Sequence, residues 1–219
     1  MTLPTRTQIS DAVAPHGWRL LLGCLHTLVP VASLQQAVDV AHALVAVAGA
    51  STRLRLELGP EAVLAVVGTA GTSRVTSADV ELALTLSAEL RRVGATTLPL
   101  GSTRSTQALE IAIDAIDADA IRPFWRAVLA YEPGPAGDLV DPYGVGPSVW
   151  FQQMDTPRPQ RNRIHFDVSV PHDEVRGRLA AAVAAGGRVL FDGSAPAFWV
   201  LADAEGNEAC LCTWQGRDG

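Results

Sequence analysis

Three cysteines in 219 residues are too few for a disulfide framework: Cys24 stands alone, and Cys210 and Cys212 sit two apart on what reads as one strand face. The odd number points to a reducing compartment and a cytoplasmic protein. Clusters of basic residues are missing too. With a formal net charge of -6, the chain has no basic face for nucleic acid or an anionic membrane, both of which need one. A small neutral or cationic organic ligand fits better, and a homodimer is compatible with the pattern. Uninterrupted apolar runs are short. Residues 20–31 contain His26, and residues 34–50 are broken by Gln35, Gln36, Asp39 and His42, so no segment is expected to span a bilayer. Residues 1–14 mix Arg, Asp and Pro, which is not the pattern of a secretory leader. A nucleophile-base-orienter set and a Gly-rich phosphate loop are likewise missing.

What the chain does contain centres on residues 163–168 and an echo of them at 203–212. Ile164, Phe166 and Val168 alternate with Arg163, His165 and Asp167, the period of two that a strand with one buried face produces. The echo reads as a turn at 205–207 feeding a strand with Glu208, Cys210 and Cys212 on one face and Ala209 and Leu211 on the other. If the two strands share a sheet, His165, Asp167, Glu208 and Cys210 converge on one cavity.

The first half has its own pattern. Residues 17–29 are Leu-rich and suggest a strand. Ser33, with Gln36 three residues on, caps a helix whose apolar positions run to Gly49. Leu54, Leu56 and Leu58 alternate with charged residues, Gly59-Pro60 turns the chain, and residues 62–67 form the hairpin partner. Thr76 with Asp79 opens a second helix that Gly94 ends. Strand, helix, hairpin, helix is an α+β unit with its helices on one face of an antiparallel sheet.

That order, with VTSADVELA at 75–83 after a strand, resembles the pterin-4a-carbinolamine dehydratase fold. Such enzymes act through a His-His-Pro cluster at the strand after the long helix and a further histidine after the next strand. Here those places hold Ser51, Thr52 and Arg53, then Thr69 and Ala70. No imidazole is left to move a proton, so the resemblance implies the fold without its acid/base chemistry. His26 and His42 remain, as structural histidines.

Residues 97–107 have linker composition. Domains are therefore expected at 1–96 and 108–219. In the second, residues 110–114 alternate as a strand, and a helix from about Asp117 buries Ile121, Phe124, Trp125, Val128 and Leu129. Pro123 either kinks that helix or places its start near Arg122. Residues 133–146 are turn-rich with at most one short strand, and 148–153 form a firmer one. A strand at 163–168, a helix at 173–185 ended by Gly186-Gly187, and strands near 188–191, 198–202 and 208–213 follow. Two copies of β-α-β-β, each with room for one more strand, make an internal repeat of about 50 residues.

The duplicated unit, with FWRAVL at 124–129, NRIHFD at 162–167 and DAEGNE at 203–208, resembles the vicinal oxygen chelate superfamily, near its glyoxalase-like and bleomycin-resistance-like branch. The resemblance implies paired β-α-β-β-β modules curled into a cup, in which metal-using members chelate two substrate oxygens. The ligand places match Glu110, Arg163, Cys210 and Gln152 or Gln153. Arginine has no lone pair to give a cation. Shifting two residues along the face yields Glu110, His165 and Cys210, a set unlike the hard shells that activate vicinal oxygens. No cofactor is therefore expected, with a divalent metal on that set as the alternative.

The ligand-binding candidates are Glu110, Trp150, Gln152, Arg163, His165, Asp167, Trp199, Glu208 and Cys210. Several have structural alternatives: a His165–Asp167 pair, buried hydrophobic Cys210 and Cys212, a solvated Glu208, and tryptophans on either strand face. Three functions fit the sequence. It can be a metal-free small-molecule binder of resistance or sequestration type; a metal-dependent lyase, isomerase or dioxygenase; or a structural module serving oligomerisation.

Overall fold

A computed structural model of the protein describes residues 4–68, 74–98, 106–157, 160 and 164–216. The chain divides into two units, Met1–Leu109 and Glu110–Gly219, each closing its own apolar core. Among the described residues no helix is long and apolar enough to cross a membrane.

The first unit runs α1 (Arg6–Val13), β1 (Arg19–Leu21), β2 (Cys24–Pro30), α2 (Leu34–Ala48), β3 (Leu54–Leu58), β4 (Ala62–Val67) and α3 (Ser77–Arg92). Its sheet is antiparallel in the order β1-β2-β4-β3. Leu25, Val29, Val63, Ala65 and Val67 meet Ile9, Val13, Leu44, Leu86 and Leu90 from the helices, so all three helices pack on one face. Helix α1 is not foreseen by periodicity, because two buried residues, Ile9 and Val13, are its whole apolar stripe. Its signal is a capping box: Gln8 N donates to Thr5 Oγ1 at 3.2 Å and Thr5 N to Gln8 Oε1 at 2.8 Å. The single strand expected over 17–29 is a hairpin. Leu22 and Gly23 turn it at φ of 46° and 75°, and a run of leucines hides a turn that only one glycine marks.

Ser33 Oγ accepts from Gln36 N at 3.2 Å as expected, but the Gln36 side chain takes Ala32 N at 2.7 Å, one residue further out than a capping box requires. Helix α3 opens on the full box of Thr76 and Asp79. Thr97 and Leu98, read as the start of a linker, are bonded to the first unit: Thr97 Oγ1 donates to His16 O at 3.1 Å and Leu98 N to Leu28 O at 3.0 Å. Gly17 permits this. It sits at φ of 81°, and a Cβ there would lie 2.1 Å from Thr97 Oγ1.

The second unit repeats one module. Strand β5 (Glu110–Ala115), helix α4 (Ala118–Leu129) and strands β6 (Glu132–Pro133), β7 (Leu139–Val140) and β8 (Ser148–Gln153) form the first copy. Strand β9 (Phe166–Ser169), helix α5 (Val175–Ala184) and strands β10 (Arg188–Phe191), β11 (Phe198–Ala202) and β12 (Glu208–Cys212) form the second. The sheets have orders β5-β8-β7-β6 and β9-β12-β11-β10. In both, the first strand runs parallel to the last, the pairing that a crossover helix makes available. Each module is therefore β-α-β-β-β, and the turn-rich stretch holds two short strands rather than one. Helix α4 is capped by Asp117, whose carboxylate accepts from Asp119 N and Ala120 N, and is helical through Pro123. So early in a helix, the proline forfeits a single bond, to the carbonyl of Asp119.

The two modules share one core, in which Ile121, Phe124, Trp125 and Val128 of α4 meet Leu179 and Ala182 of α5, with Leu201, Ala209 and Leu211 beneath. Gly187 lets the chain pass α4, since a Cβ there would meet the Phe124 ring at 2.3 Å. Asp203, fully buried, accepts from Trp125 Nε1 and Asn207 Nδ2 on Oδ2 and from Glu205 N and Asn207 N on Oδ1, all at 2.9–3.0 Å. Removing it strands a buried indole N–H and two backbone N–H groups. Asp203→Ala is expected to destabilise the second unit by about 3 kcal/mol or more, read as a fall in the urea midpoint followed by tryptophan fluorescence. A loss below about 1 kcal/mol, the worth of one ordinary hydrogen bond, would contradict this account.

Candidate functional site

Strands β9 and β12 are neighbours, with Phe166 opposite Ala209, Asp167 opposite Cys210, Val168 opposite Leu211 and Ser169 opposite Cys212. Phe166 and Val168 pack against the core with Ala209 and Leu211, which turns Asp167, Cys210 and Cys212 to the other face. Strand β9 starts later than its alternation suggests. Ile164 is 74 % exposed and, with His165, precedes the ladder; the expectation that Ile164 faces the helices is wrong. The period of two is real from Phe166 onward, and before it no partner strand holds the register.

Leaving the ladder frees His165 to turn toward Asp167, with Nε2 3.4 Å from Oδ1. His165, Asp167 and Cys210 form one group in which the imidazole nitrogen, a carboxylate oxygen and the sulfur all lie within 4.8 Å of one another. The nitrogen and oxygen are exposed and the sulfur is buried. Burial pushes the Cys210 thiol up to about 12, helped by its hydrogen bond to Asp167 and by the charges of Asp167 and Glu208. A thiol so protonated is no nucleophile. Glu208, at the first pair of β12 with Ala202, is buried rather than solvated.

The first sheet carries the remaining candidates. Glu110 pairs with Ser148, Ala112 with Trp150 and Asp114 with Gln152, while Ile111, Ile113, Val149 and Phe151 face the core. Glu110, Trp150 and Gln152 thus share the open face of that sheet. Ser148 Oγ donates to Glu110 Oε1 at 3.1 Å, and Trp150 is 38 % exposed. Gln153 is turned to the backbone, donating to Ile116 O and Met154 O. Trp199 belongs elsewhere. It pairs with Leu211, is 4 % exposed in the shared core, and carries the Arg176 guanidinium 5.3 Å above its ring. As a wall of the site it is ruled out by strand parity. Arg163 lies outside the described residues.

Among the described residues, Glu110 is not in the group formed by His165, Asp167 and Cys210. The alternative metal set of Glu110, His165 and Cys210 shares two members with that group, in which Asp167 is the third. A cavity of about 340 Å³ lies at the ends of β9 and β12, bounded by Ser169, Val170, Pro171, Thr213 and Trp214. Trp214 is 61 % exposed and sits edge-on to His172, its indole donating to Nδ1 at 3.4 Å. Sequence reasoning missed both, because they lie beyond the ends of β9 and β12, where alternation stops.

In the first unit, Arg53 forms an ion pair with Asp79. Arg53 Nε donates to Asp79 Oδ1 and Nη2 to Oδ2 at 2.8 Å. Burial alone would raise the Asp79 carboxyl, but the bonds from Arg53 and from Thr76 outweigh it and hold the group below its usual range. Ser51 Oγ accepts from Arg53 N; Thr69 and Ala70 lie outside the described residues. His26 is buried, and its imidazole is pushed down by that burial and by Arg55. His42 is exposed on α2.

A pair of β-α-β-β-β modules with polar residues on the open sheet faces defines a class, and residues 110–212 match the model of a glyoxalase-like domain. The match lies within the second unit and covers just under half of the chain. Among solved structures, the fosfomycin resistance protein FosX from Mesorhizobium loti is 8 % identical, with 50 % of this chain and 92 % of that chain covered and a TM-score of 0.41. A FosX from Listeria monocytogenes is 12 % identical, covering 50 % and 92 %, at a TM-score of 0.42. A glyoxalase/bleomycin resistance protein from Albidiferax ferrireducens is 17 % identical, covering 48 % and 95 %, at a TM-score of 0.38. No curated protein matches the sequence.

The raised Cys210 thiol has a consequence for stability. Its proton is held more tightly in the folded than in the unfolded chain, so the stabilisation is complete below the unfolded value near 9 and is lost as pH rises from there toward about 12. Native Cys210 is expected to alkylate more slowly at pH 8–9 than the unfolded chain, and Cys210→Ser to flatten the alkaline fall in stability. Equal alkylation rates in native and denatured protein would refute the assignment.

Proposed function

We propose that the glyoxalase-like unit binds a small organic molecule, in the manner of a resistance or sequestration protein, without a metal on the ligand places of metal-using relatives. What supports this is that Glu110 is bonded to Ser148 on one sheet and, among the described residues, is not in the group that Cys210 forms with His165 and Asp167. A chelate of two vicinal oxygens needs its ligands around one ion. The cavity at Ser169 and Trp214 lies within the size range of small-ligand pockets. It begins one pleat beyond the Asp167–Cys210 pair, since Ser169 follows Asp167 by two on β9. The Trp214 indole offers an apolar wall, and His165 and Asp167 offer charge. Three buried thiols, none of them in a disulfide, suit a reducing cytoplasm.

A ligand that binds only the folded state raises its melting temperature. In a panel of aromatic and heterocyclic compounds screened with EDTA present, at least one is expected to stabilise the protein, and Trp214→Ala to weaken that compound about tenfold or more. Stabilisation only when EDTA is left out would favour the alternative, metal-dependent lyase, isomerase or dioxygenase chemistry.

We further infer that the first unit is a dehydratase-like scaffold without dehydratase chemistry. Its support is the order of strands and helices together with an Arg53–Asp79 ion pair where proton-transferring imidazoles are needed. Assayed with a pterin carbinolamine, the protein is expected to leave the uncatalysed rate unchanged. Turnover well above that rate would overturn the inference.

A further inference from the structure

We propose that His165 Nε2, a carboxylate oxygen of Asp167 and Cys210 Sγ form a three-ligand site for a zinc-like cation, with the fourth position open to solvent. This goes beyond the ligand-binding reading above: the group shares only Cys210 with the ligand places of metal-using relatives, and Glu110 is not in it.

The donor set selects the ion. Imidazole, carboxylate and thiolate together suit a borderline cation that accepts tetrahedral geometry, whereas Mg²⁺ and Ca²⁺ require oxygen shells. The geometry is close to what such an ion needs. Nitrogen and oxygen ligands about 2.0 Å from a tetrahedral zinc stand about 3.3 Å apart, and the His165–Asp167 separation is 3.4 Å. The sulfur, within 4.8 Å of both, has to close by about 1 Å to meet the zinc–sulfur distance. His165 supplies that movement, since it lies ahead of the β9 ladder and is exposed.

On binding, the Cys210 S–H bond breaks, the sulfur's electron pair goes to the metal and the proton leaves to solvent; no oxidant or reductant is involved. The His165–Asp167 contact can otherwise be a plain ion pair and Cys210 a buried hydrophobe, and the experiment separates the two.

Full-length protein, stripped with EDTA and buffer-exchanged, is titrated with CoCl2 and followed by absorption. One equivalent is expected to bind, with the visible bands of a tetrahedral ion and a near-ultraviolet thiolate-to-cobalt band. One equivalent of ZnCl2 should bleach both, and a hundredfold excess of MgCl2 neither. Cys210→Ser should abolish the near-ultraviolet band. His165→Ala, an exposed position that leaves the core intact, should weaken binding at least tenfold. Cys212→Ser and Glu110→Gln should change nothing. The proposal is overturned if no stoichiometric cobalt band appears, if Cys210→Ser retains the band, or if Glu110→Gln loses it, which would assign the metal to the relatives' ligand places. Because the organic-ligand screen is run in EDTA, its failure and the failure of this site are read separately.

Discussion

The buried carboxylate of Asp203 takes the indole N–H of Trp125 from helix α4 and the backbone N–H groups of its own turn, so one group fixes the entry into β12 and the seat of the other module's helix. Two residues on, Glu205 reaches the same junction, accepting from Ile116 N at 2.8 Å and Asp117 N at 2.7 Å just ahead of α4. Buried charge is tolerable only when every lone pair is used, and here they are. The first module has a corresponding turn at Asp141, which accepts from Tyr143 N, Val145 N and Gly146 N. The Asp203 copy crosses to the other module through the indole of Trp125.

Where β12 enters decides what stands beside β9. Strand β12 is buried on both faces, and its parallel register sets Cys210 against Asp167. The sulfur is therefore fixed by backbone pairing, while His165, ahead of the ladder, approaches from a more adaptable segment. A rigid soft donor with one adaptable donor above it accommodates a small change in bound geometry at little cost to the sheet. The open face of the first sheet is different in kind. Its carboxylate, Glu110, is bonded to a neighbouring hydroxyl, and its aromatic residue, Trp150, is partly exposed.

The first unit shows the same economy with charge. Asp79 opens α3 in a capping box and also receives Arg53 from the turn before β3. One carboxylate thus caps a helix and neutralises a cation from the turn before β3, which makes the ion pair a fastening between helix and sheet.

Local pattern was enough to find the two β-α-β-β modules, the caps at Ser33 and Thr76, and the hairpin at Gly59-Pro60, because period and capping chemistry are properties of neighbouring residues. It was not enough for α1, whose stripe is two residues long, or for the β1–β2 hairpin hidden among leucines. The site divides in the same way. Asp167 and Cys210 were placed on one face by alternation alone, and the structure pairs them. The hydrogen bond of Glu110 to Ser148, the burial of Trp199 in the core and the place of Trp214 at the cavity were settled only by tertiary structure. Alternation says which residues share a face but not what covers that face, and strand register, which decides the partners, is set by contacts distant in sequence.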